Sequence, residues 1–196
     1  MSIHSLCKPR PSVHAADRRA TVLNLDTFLK GEVSGSDFFE ENYFTHGMLT
    51  LVDRAFRHLG GSGAGSSVFL LSQAMGGGKT HSMIALGLLA RDPALRNKVL
   101  TGDQNPAPAL GPCRVVGFNG RSTDAAGGIW GSIAEQLGKA DQFARYVSPL
   151  LSAPGPEAWK QLLGGEPLVL FLDELPPYLE YAVAVPVGNA DLGVVT

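Results

Sequence analysis

The chain has 196 residues, of which 44% are hydrophobic, and a formal net charge of -2. That length suits one domain, or a domain plus a short appendage, and the hydrophobic content argues against a wholly disordered chain. The near-neutral charge excludes a strongly basic domain that coats nucleic acid, although a local patch could still touch DNA. Cys7 and Cys113 are too few for a disulfide scaffold. Without a secretory signal or a run of ~18 apolar residues, we expect a cytoplasmic protein with no membrane partner.

The first part of the chain differs in character from the rest. Residues 1–20 are polar and predict a mobile lead-in, while residues 21–44 carry apolar side chains without a clean period and are expected to cover a neighbouring domain. We therefore divide the chain into a lead-in and linker, residues 1–44, and one domain, residues 45–196.

Strands and helices alternate through residues 45–196. An apolar stripe at helical spacing predicts a helix over 46–59, and a flexible glycine-rich connector follows. The order of strand, glycine-rich turn and buried helix indicates the start of a parallel α/β fold. The other predicted elements are strands 68–72, 114–119 and 167–172, helices 79–90, 128–137, 156–163 and 177–183, and a loop over 94–112.

Residues 76–80 carry the strongest chemical signal, because three glycines are followed by Lys79 and Thr80 at the start of a helix. Backbone N–H groups of a tight glycine turn can converge on an anion, since no Cβ blocks the approach. The helix N-terminus adds further N–H groups and a positive dipole end. Lys79 would reach the β- and γ-phosphates of a nucleotide, and the Thr80 hydroxyl would sit on Mg²⁺.

This segment resembles the Walker A loop of P-loop nucleotide-binding proteins, with one departure. The pattern asks for a glycine five positions before Gly78, where this chain has Gln73, so other glycines are expected to supply the turn. A glycine-rich turn with a surface lysine is the alternative, and for His81 the alternative is simple packing on its helix. The resemblance implies ATP and Mg²⁺ as ligands, with the nucleotide bound by Met75, Gly76, Gly77, Gly78, Lys79, Thr80 and His81.

The strand predicted at 167–172 runs into Asp173 and Glu174 and resembles a Walker B strand. In open parallel sheets, ligands bind at the carboxyl ends of the strands. Asp173, together with Thr80, would hold Mg²⁺, and Glu174 would orient and deprotonate an attacking water. The alternative is a chance apolar strand that ends in an acidic turn.

The Asp-Glu pair resembles P-loop ATPases that use a catalytic glutamate, including the AAA+ branch, more than GTPases or small-molecule kinases. In AAA+ proteins a polar residue at the end of the second strand often hydrogen-bonds that glutamate, and Asn119 matches this place. The resemblance thus implies catalytic roles for Glu174, Lys79 and Asn119. Arg121 could touch phosphate or a partner, and a plain loop role remains open for it and for Asn119.

Three stretches, 67–90, 115–138 and 168–183, look like the N-terminal part of large predicted AAA+ ATPases of domain of unknown function family four-ninety-nine. Members are much longer and often sit beside DNA methylase or helicase genes, in settings that suggest anti-phage defence. The resemblance implies a three-layer α/β P-loop fold, AAA+-like, with a parallel sheet. It also implies a homo-oligomer and DNA or DNA-modifying proteins as candidate partners.

The AAA+ strand order 5-1-4-3-2 predicts that the strand before the glycine loop is not adjacent to the strand that carries Asp173. The chain has candidates for the first three strands only. We therefore expect a domain that is incomplete at its C-terminus, without the fourth strand, the arginine finger or the lid helices.

Two weaker signals accompany the main one. His4, Cys7 and His14 have a spacing that hints at a metal site, but a polar tail explains them as well. Aromatic residues could stack on adenine or simply cover the core, and these are Phe38, Phe39, Tyr43 and Phe44. Trp130 and Trp159 are predicted core residues.

The sequence leaves three functions open. The first is ATP binding with Mg²⁺-dependent hydrolysis within a larger AAA+-like ATPase. The second is a regulatory or scaffold domain that binds a nucleotide without turnover, which the departure at Gln73 favours. The third is a P-loop kinase or transferase, against which Glu174 beside Asp173 argues.

Overall fold

The computed structural model describes residues 23–63, 66–72, 76–121, 127–147 and 152–184. These residues form α-helices around a small parallel sheet. The helices are α1 (Leu25–Leu29), α2 (Gly35–Glu41), α3 (His46–Leu59), α4 (Lys79–Arg91), α5 (Pro93–Val99), α6 (Gly128–Gln136), α7 (Ala140–Phe143), α8 (Pro156–Leu163) and α9 (Leu175–Ala184). The strands are β1 (Arg114–Asn119) and β2 (Leu168–Asp173), and single 3₁₀ turns lie at Gly102–Gln104 and Ala144–Tyr146.

The two strands run parallel, with Asn119 opposite Asp173, so their carboxyl ends meet at one edge of the sheet. Successive side chains of a strand point to opposite faces. Val115 of β1 and Phe171 of β2 accordingly belong to one buried cluster. Val116 of β1 belongs to a second cluster, against which Leu170 of β2 packs. Helices therefore bury both faces of the sheet, as predicted for a parallel α/β fold.

The larger cluster, here the first core, gathers helices α1 to α4 on one face of the sheet. Its fully buried members include Phe28 of α1, Phe56 of α3 and Ile84 of α4. The second core lies on the other face and includes Ile133 of α6 and Leu162 of α8. The predicted core tryptophans, Trp130 and Trp159, pack against this second core.

Helix α3 has the predicted bounds, and its ends show why. The Thr45 hydroxyl accepts a hydrogen bond from the backbone N–H of Met48, which caps the N-terminus, and Gly60 follows the last residue. Helix α4 is apolar on most sides, and residues 82–90 are accordingly all buried. At Gly87 a Cβ would collide with the ring of Phe28 and approach Cε2 of Phe171 to 3.0 Å, so the glycine lets α1 and the sheet close on α4.

The strand predicted at residues 68–72 is wrong for this structure. The segment has no strand pairing, and the side chains of Val68 and Leu70 are 78% and 88% exposed, while Leu71 packs against the first core. Strand-forming side chains make a strand only where a second backbone pairs its N–H and C=O groups. Of the described residues, none supplies that pairing here, and β2 pairs with β1 instead.

The loop predicted at 94–112 is also partly wrong, because helix α5 begins directly after α4. The Asp92 carboxylate accepts hydrogen bonds from the backbone N–H groups of Ala94 and Leu95, at 2.8 and 3.0 Å. Pro93 occupies the first turn, where its missing N–H costs nothing. Asp-Pro is thus a helix start signal that the sequence contained.

The remaining predicted elements are confirmed with small shifts. Strand 114–119 and helix 156–163 have the predicted bounds. Helices α4 and α6 and strand β2 shift by one residue, and α9 begins two residues earlier than predicted. Residues 23–44 form the short helices α1 and α2, whose residues Leu25, Phe28 and Phe38 belong to the first core.

Cys113 lies at the junction of α4 and β1. Its backbone N–H donates to the carbonyl of Ala90 at 2.8 Å, and the residue is only 4% exposed within the first core. Burial raises the pKa of its thiol, and the guanidinium of the buried Arg96 opposes that rise. Cys113 is thus a free, buried thiol.

None of the described helices combines the length and apolarity that a bilayer crossing requires.

Candidate functional site

The glycine loop, Gly76 to Gly78, leads into the N-terminus of α4. Gly76 and Gly78 have φ angles of 76° and 81°, which side-chain-bearing residues rarely adopt. A Cβ at either position would meet nothing within 4 Å, so the space around both backbones is open. Gly78 is the N-cap and offers no side-chain acceptor to the first N–H groups of the helix. The loop therefore leaves a helix N-terminus that an anion can approach.

Lys79 and Thr80 are the first two residues of α4 and are partly buried. Among the predicted nucleotide ligands, Met75 lies outside the described residues, as does Gln73.

The central contact of the site joins α4 to the end of β2. The Thr80 hydroxyl donates to Asp173 Oδ2 at 2.7 Å, although the two residues are 93 positions apart in sequence. This contact is partly buried and brings together two oxygen ligands of the kind that Mg²⁺ prefers. The residues present thus fit the metal that the sequence predicts at Thr80 and Asp173.

Glu174 follows Asp173 at the end of the sheet in an unusual backbone conformation. It is the non-glycine residue with a positive φ, 50°, within the described ranges. Its backbone N–H donates to Asp173 Oδ1 at 3.0 Å, and its carboxylate lies 3.4 Å from the guanidinium of Arg121. The carboxylate is partly exposed, so water can reach it.

The structure does not bring the Asn119 side chain to Glu174. Asn119 Nδ2 donates to Asp26 Oδ2 of α1 at 2.7 Å, and its Oδ1 accepts from the backbone N–H of Arg121 at 3.1 Å. The sequence places Asn119 at this edge of the sheet but carries no signal for Asp26, which lies 93 positions away in a segment without periodicity. Asp26 is therefore the residue that the sequence prediction missed.

His81 lies in the first turn of α4 and contacts Phe38, one of the aromatic residues that precede the loop. Its ring centroid is 4.7 Å from that of the buried Phe38, and partial burial lowers its pKa. Phe39 and Phe44 stack on each other at 5.3 Å, while Tyr43 is almost fully exposed. Packing thus accounts for His81, Phe38, Phe39 and Phe44 in this structure.

The candidate metal ligands in the lead-in, His4, Cys7 and His14, lie outside the described residues. Within the described ranges, no group of three or more His, Cys, Asp or Glu residues is arranged to hold a metal ion. A metal at Thr80 and Asp173 would thus need further oxygen ligands from water or from a bound phosphate.

Residues 32–107 match the family model described as the DUF499 N-terminal domain. No curated protein and no solved structure matches the chain. The matched range includes α2 to α5 and the glycine loop, and it ends before β1. The match confirms the resemblance to the N-terminal part of this family over residues 32–107.

Proposed function

We propose that this chain binds ATP with Mg²⁺ and hydrolyses it as the N-terminal part of a larger AAA+-like ATPase with a three-layer P-loop fold. One observation carries the proposal, and it is the hydrogen bond of 2.7 Å between Thr80 and Asp173. A helix start and a strand end, which the sequence separates by 93 residues, supply a hydroxyl and a carboxylate to one point. P-loop ATPases require both oxygens there, because each helps to hold the metal.

The glycine loop supports the proposed binding of the nucleotide's phosphates. Gly76 and Gly78 hold positive φ angles with open space around them, and Lys79 begins the helix behind them. In the proposed complex, backbone N–H groups of the loop bind the phosphate oxygens and the Lys79 ammonium binds the β- and γ-phosphates. Mg²⁺, held by Thr80 and Asp173, would supply positive charge that neutralises the phosphates.

Glu174 is the proposed general base. It lies next to the proposed metal ligand Asp173, its carboxylate is partly exposed, and Arg121 contacts it at 3.4 Å. A general base must be able to reach an attacking water directly, and this exposure allows it. For partners other than ATP, the proposal rests on the family resemblance alone. On that basis we propose a homo-oligomer and a link to DNA-modifying proteins.

Thermal unfolding with and without Mg-ATP tests nucleotide binding. At a free ligand concentration of a hundred times Kd, binding to the folded state adds about 2.7 kcal/mol to its stability. We expect this shift in the wild type and not in Lys79→Ala. The matched control is Lys98→Ala, which removes an exposed lysine of α5 and should keep the shift. A wild type that unfolds cooperatively and ignores Mg-ATP would contradict the proposal.

Phosphate release tests hydrolysis. Glu174→Gln should lower turnover at least about a hundredfold, because it removes the base, while the Mg-ATP thermal shift remains. Glu166→Gln, at an exposed carboxylate before β2, is the matched control and should turn over ATP as the wild type does. Equal turnover in Glu174→Gln and wild type would exclude Glu174 as the base.

A second candidate function is a regulatory or scaffold domain that binds a nucleotide without turnover. The observation in its favour is residues 68–72, which lead into the glycine loop without strand pairing and with Val68 and Leu70 exposed. A misplacement of about 1 Å among catalytic groups can lower the rate about a hundredfold, so an unpaired segment before the loop weakens the case for turnover. A Mg-ATP thermal shift without any phosphate release would favour this second function.

A further inference from the structure

A chain of contacts runs from helix α1 to the proposed base. Asp26 Oδ2 accepts from Asn119 Nδ2 at 2.7 Å, and Asn119 Oδ1 accepts from the backbone N–H of Arg121 at 3.1 Å. The Arg121 guanidinium then lies 3.4 Å from Glu174 Oε1. These contacts link helix α1, the turn after β1 and the end of β2 in series.

The first member of this network is held firmly. Helix α1 is anchored by Leu25 and Phe28, which are both fully buried in the first core. Arg91 of α4 fixes it further, because its guanidinium donates to the Phe28 carbonyl at 3.0 Å and lies 4.3 Å from the Phe28 ring centroid. Asn24 caps the helix by accepting from the backbone N–H of Thr27 at 2.8 Å. Asp26 is thus a fixed acceptor for Asn119.

The last member depends on its neighbours for its position. The backbone of Glu174 touches the turn after β1, because a Cβ on Gly120 would collide with the Glu174 carbonyl oxygen. The Arg121 side chain is 68% exposed, and an ion pair in water restrains its partners only weakly. The orientation of Arg121 must therefore come from its backbone, which Asn119 holds.

We propose that Asp26 is a positioning residue for Glu174, acting through Asn119 and Arg121. By holding the Asn119 amide, Asp26 fixes the turn at residues 119–121, and that turn sets the place of both the Arg121 guanidinium and the Glu174 backbone. The inference rests on the proposed function, in which Glu174 activates water. Loss of the Asp26 acceptor then impairs turnover and leaves ATP binding intact, because the glycine loop is untouched.

Two variants at position 26 separate the hydrogen bond from the charge. Asp26→Ala removes both, whereas Asp26→Asn removes the charge and keeps an acceptor oxygen for Asn119. Glu40→Ala, at an exposed carboxylate of α2, controls for the loss of an acidic residue in this region. All variants are made in the full chain.

The first measurement needs no nucleotide. We compare the backbone amide resonances of Arg121 and Glu174 in ¹H–¹⁵N spectra of the wild type and the three variants. Asp26→Ala should shift both resonances, and Asp26→Asn and Glu40→Ala should leave them in place. An unshifted Glu174 resonance in Asp26→Ala would overturn the inference, whether or not the chain hydrolyses ATP.

The second measurement is the kcat and KM of ATP hydrolysis. We expect Asp26→Ala to lower kcat by about tenfold with KM unchanged, as for a misplaced catalytic group, and Asp26→Asn to restore kcat. A wild-type kcat in Asp26→Ala would overturn the inference and leave the proposed function in place. Shifted resonances in a chain that hydrolyses no ATP would overturn the proposed function alone.

Asn119→Ala keeps the test decisive if Asp26→Ala does not fold. It removes both the amide that Asp26 holds and the acceptor of the Arg121 backbone N–H. This variant should shift the Glu174 resonance and reproduce the loss of kcat with KM unchanged, and a wild-type kcat would overturn the inference.

Discussion

The Thr80 hydroxyl should contribute to folding stability as well as to the site. Thr80→Val keeps the shape but leaves the partly buried Asp173 Oδ2 without this donor, which should lower the free energy of unfolding by about 1–2 kcal/mol. Thr80→Ser keeps a hydroxyl and should retain most of that stability. Urea unfolding of the two variants without metal or nucleotide measures the difference, and equal midpoints would contradict this account.

Thr80 and Asp173 show how far single residues can be placed from sequence. Thr80 follows a glycine turn at a helix start, and Asp173 ends an apolar strand, so both were expected at one edge of a parallel sheet. The hydrogen bond between their side chains confirms that they meet. Asp26 could not be placed in this way, because its contact with Asn119 depends on how α1 docks. Docking is a tertiary property that no local pattern encodes.

His81 should make stability depend on pH. Its pKa in the folded chain lies below the ordinary value because of burial against Phe38, so the unfolded chain takes up the proton first as the pH falls. Stability is then full above the unfolded pKa of about 6.5 and declines as the pH falls from there towards the folded pKa.

Urea unfolding at several pH values between 7.5 and 5 checks this dependence. His81→Gln should remove part of the decline, whereas His58→Gln, at an exposed position of α3, should not. The same slope in His81→Gln and wild type would show that other groups cause the decline.

At the scale of elements, the errors of the sequence prediction have opposite causes. Residues 68–72 have the composition of a buried strand, but a strand needs a paired backbone, which composition alone does not supply. Helix α5 was missed although Asp92 and Pro93 mark its start, because the prolines further along suggested a loop. The first error is one of tertiary context, whereas the second concerns a local start signal, Asp92 with Pro93, that outweighs the prolines further along the chain.

The packing of α1, α4 and β2 depends on the glycine in the middle of α4. Gly87→Ala should lower the free energy of unfolding by about 1–3 kcal/mol, because its Cβ would collide with Phe28 and crowd Phe171. This would occur even though alanine favours an isolated helix over glycine by about 1 kcal/mol. Gly47→Ala in α3 is the matched control, since a Cβ there meets nothing within 4 Å and should not destabilise the protein. Thermal unfolding of both variants measures the difference. A Gly87→Ala variant that unfolds at the same temperature as Gly47→Ala would contradict this account.

At the scale of the whole molecule, the sheet separates two cores, and the site lies where both strands end. The class of the fold followed from the alternation of strands and helices, and the position of the site followed from residues at strand ends and a helix start. The sequence predicted that residues 21–44 cover a neighbouring domain, but not the face that they bury, because their apolar side chains have no period that fixes one. Those residues nevertheless complete the first core through Leu25 and Phe28.

Cys113 offers a way to observe that core as it opens. A thiol reagent attacks the thiolate, and both burial and the raised pKa protect this side chain while the core is closed. In a Cys7→Ser variant, labelling of Cys113 should be slow without denaturant and fast in urea. Mg-ATP at a hundred times Kd should slow labelling by up to about a hundredfold, if opening disrupts the nucleotide site. Fast labelling of the folded chain would contradict the burial of Cys113. The labelling rate of this thiol therefore reports how often the first core opens.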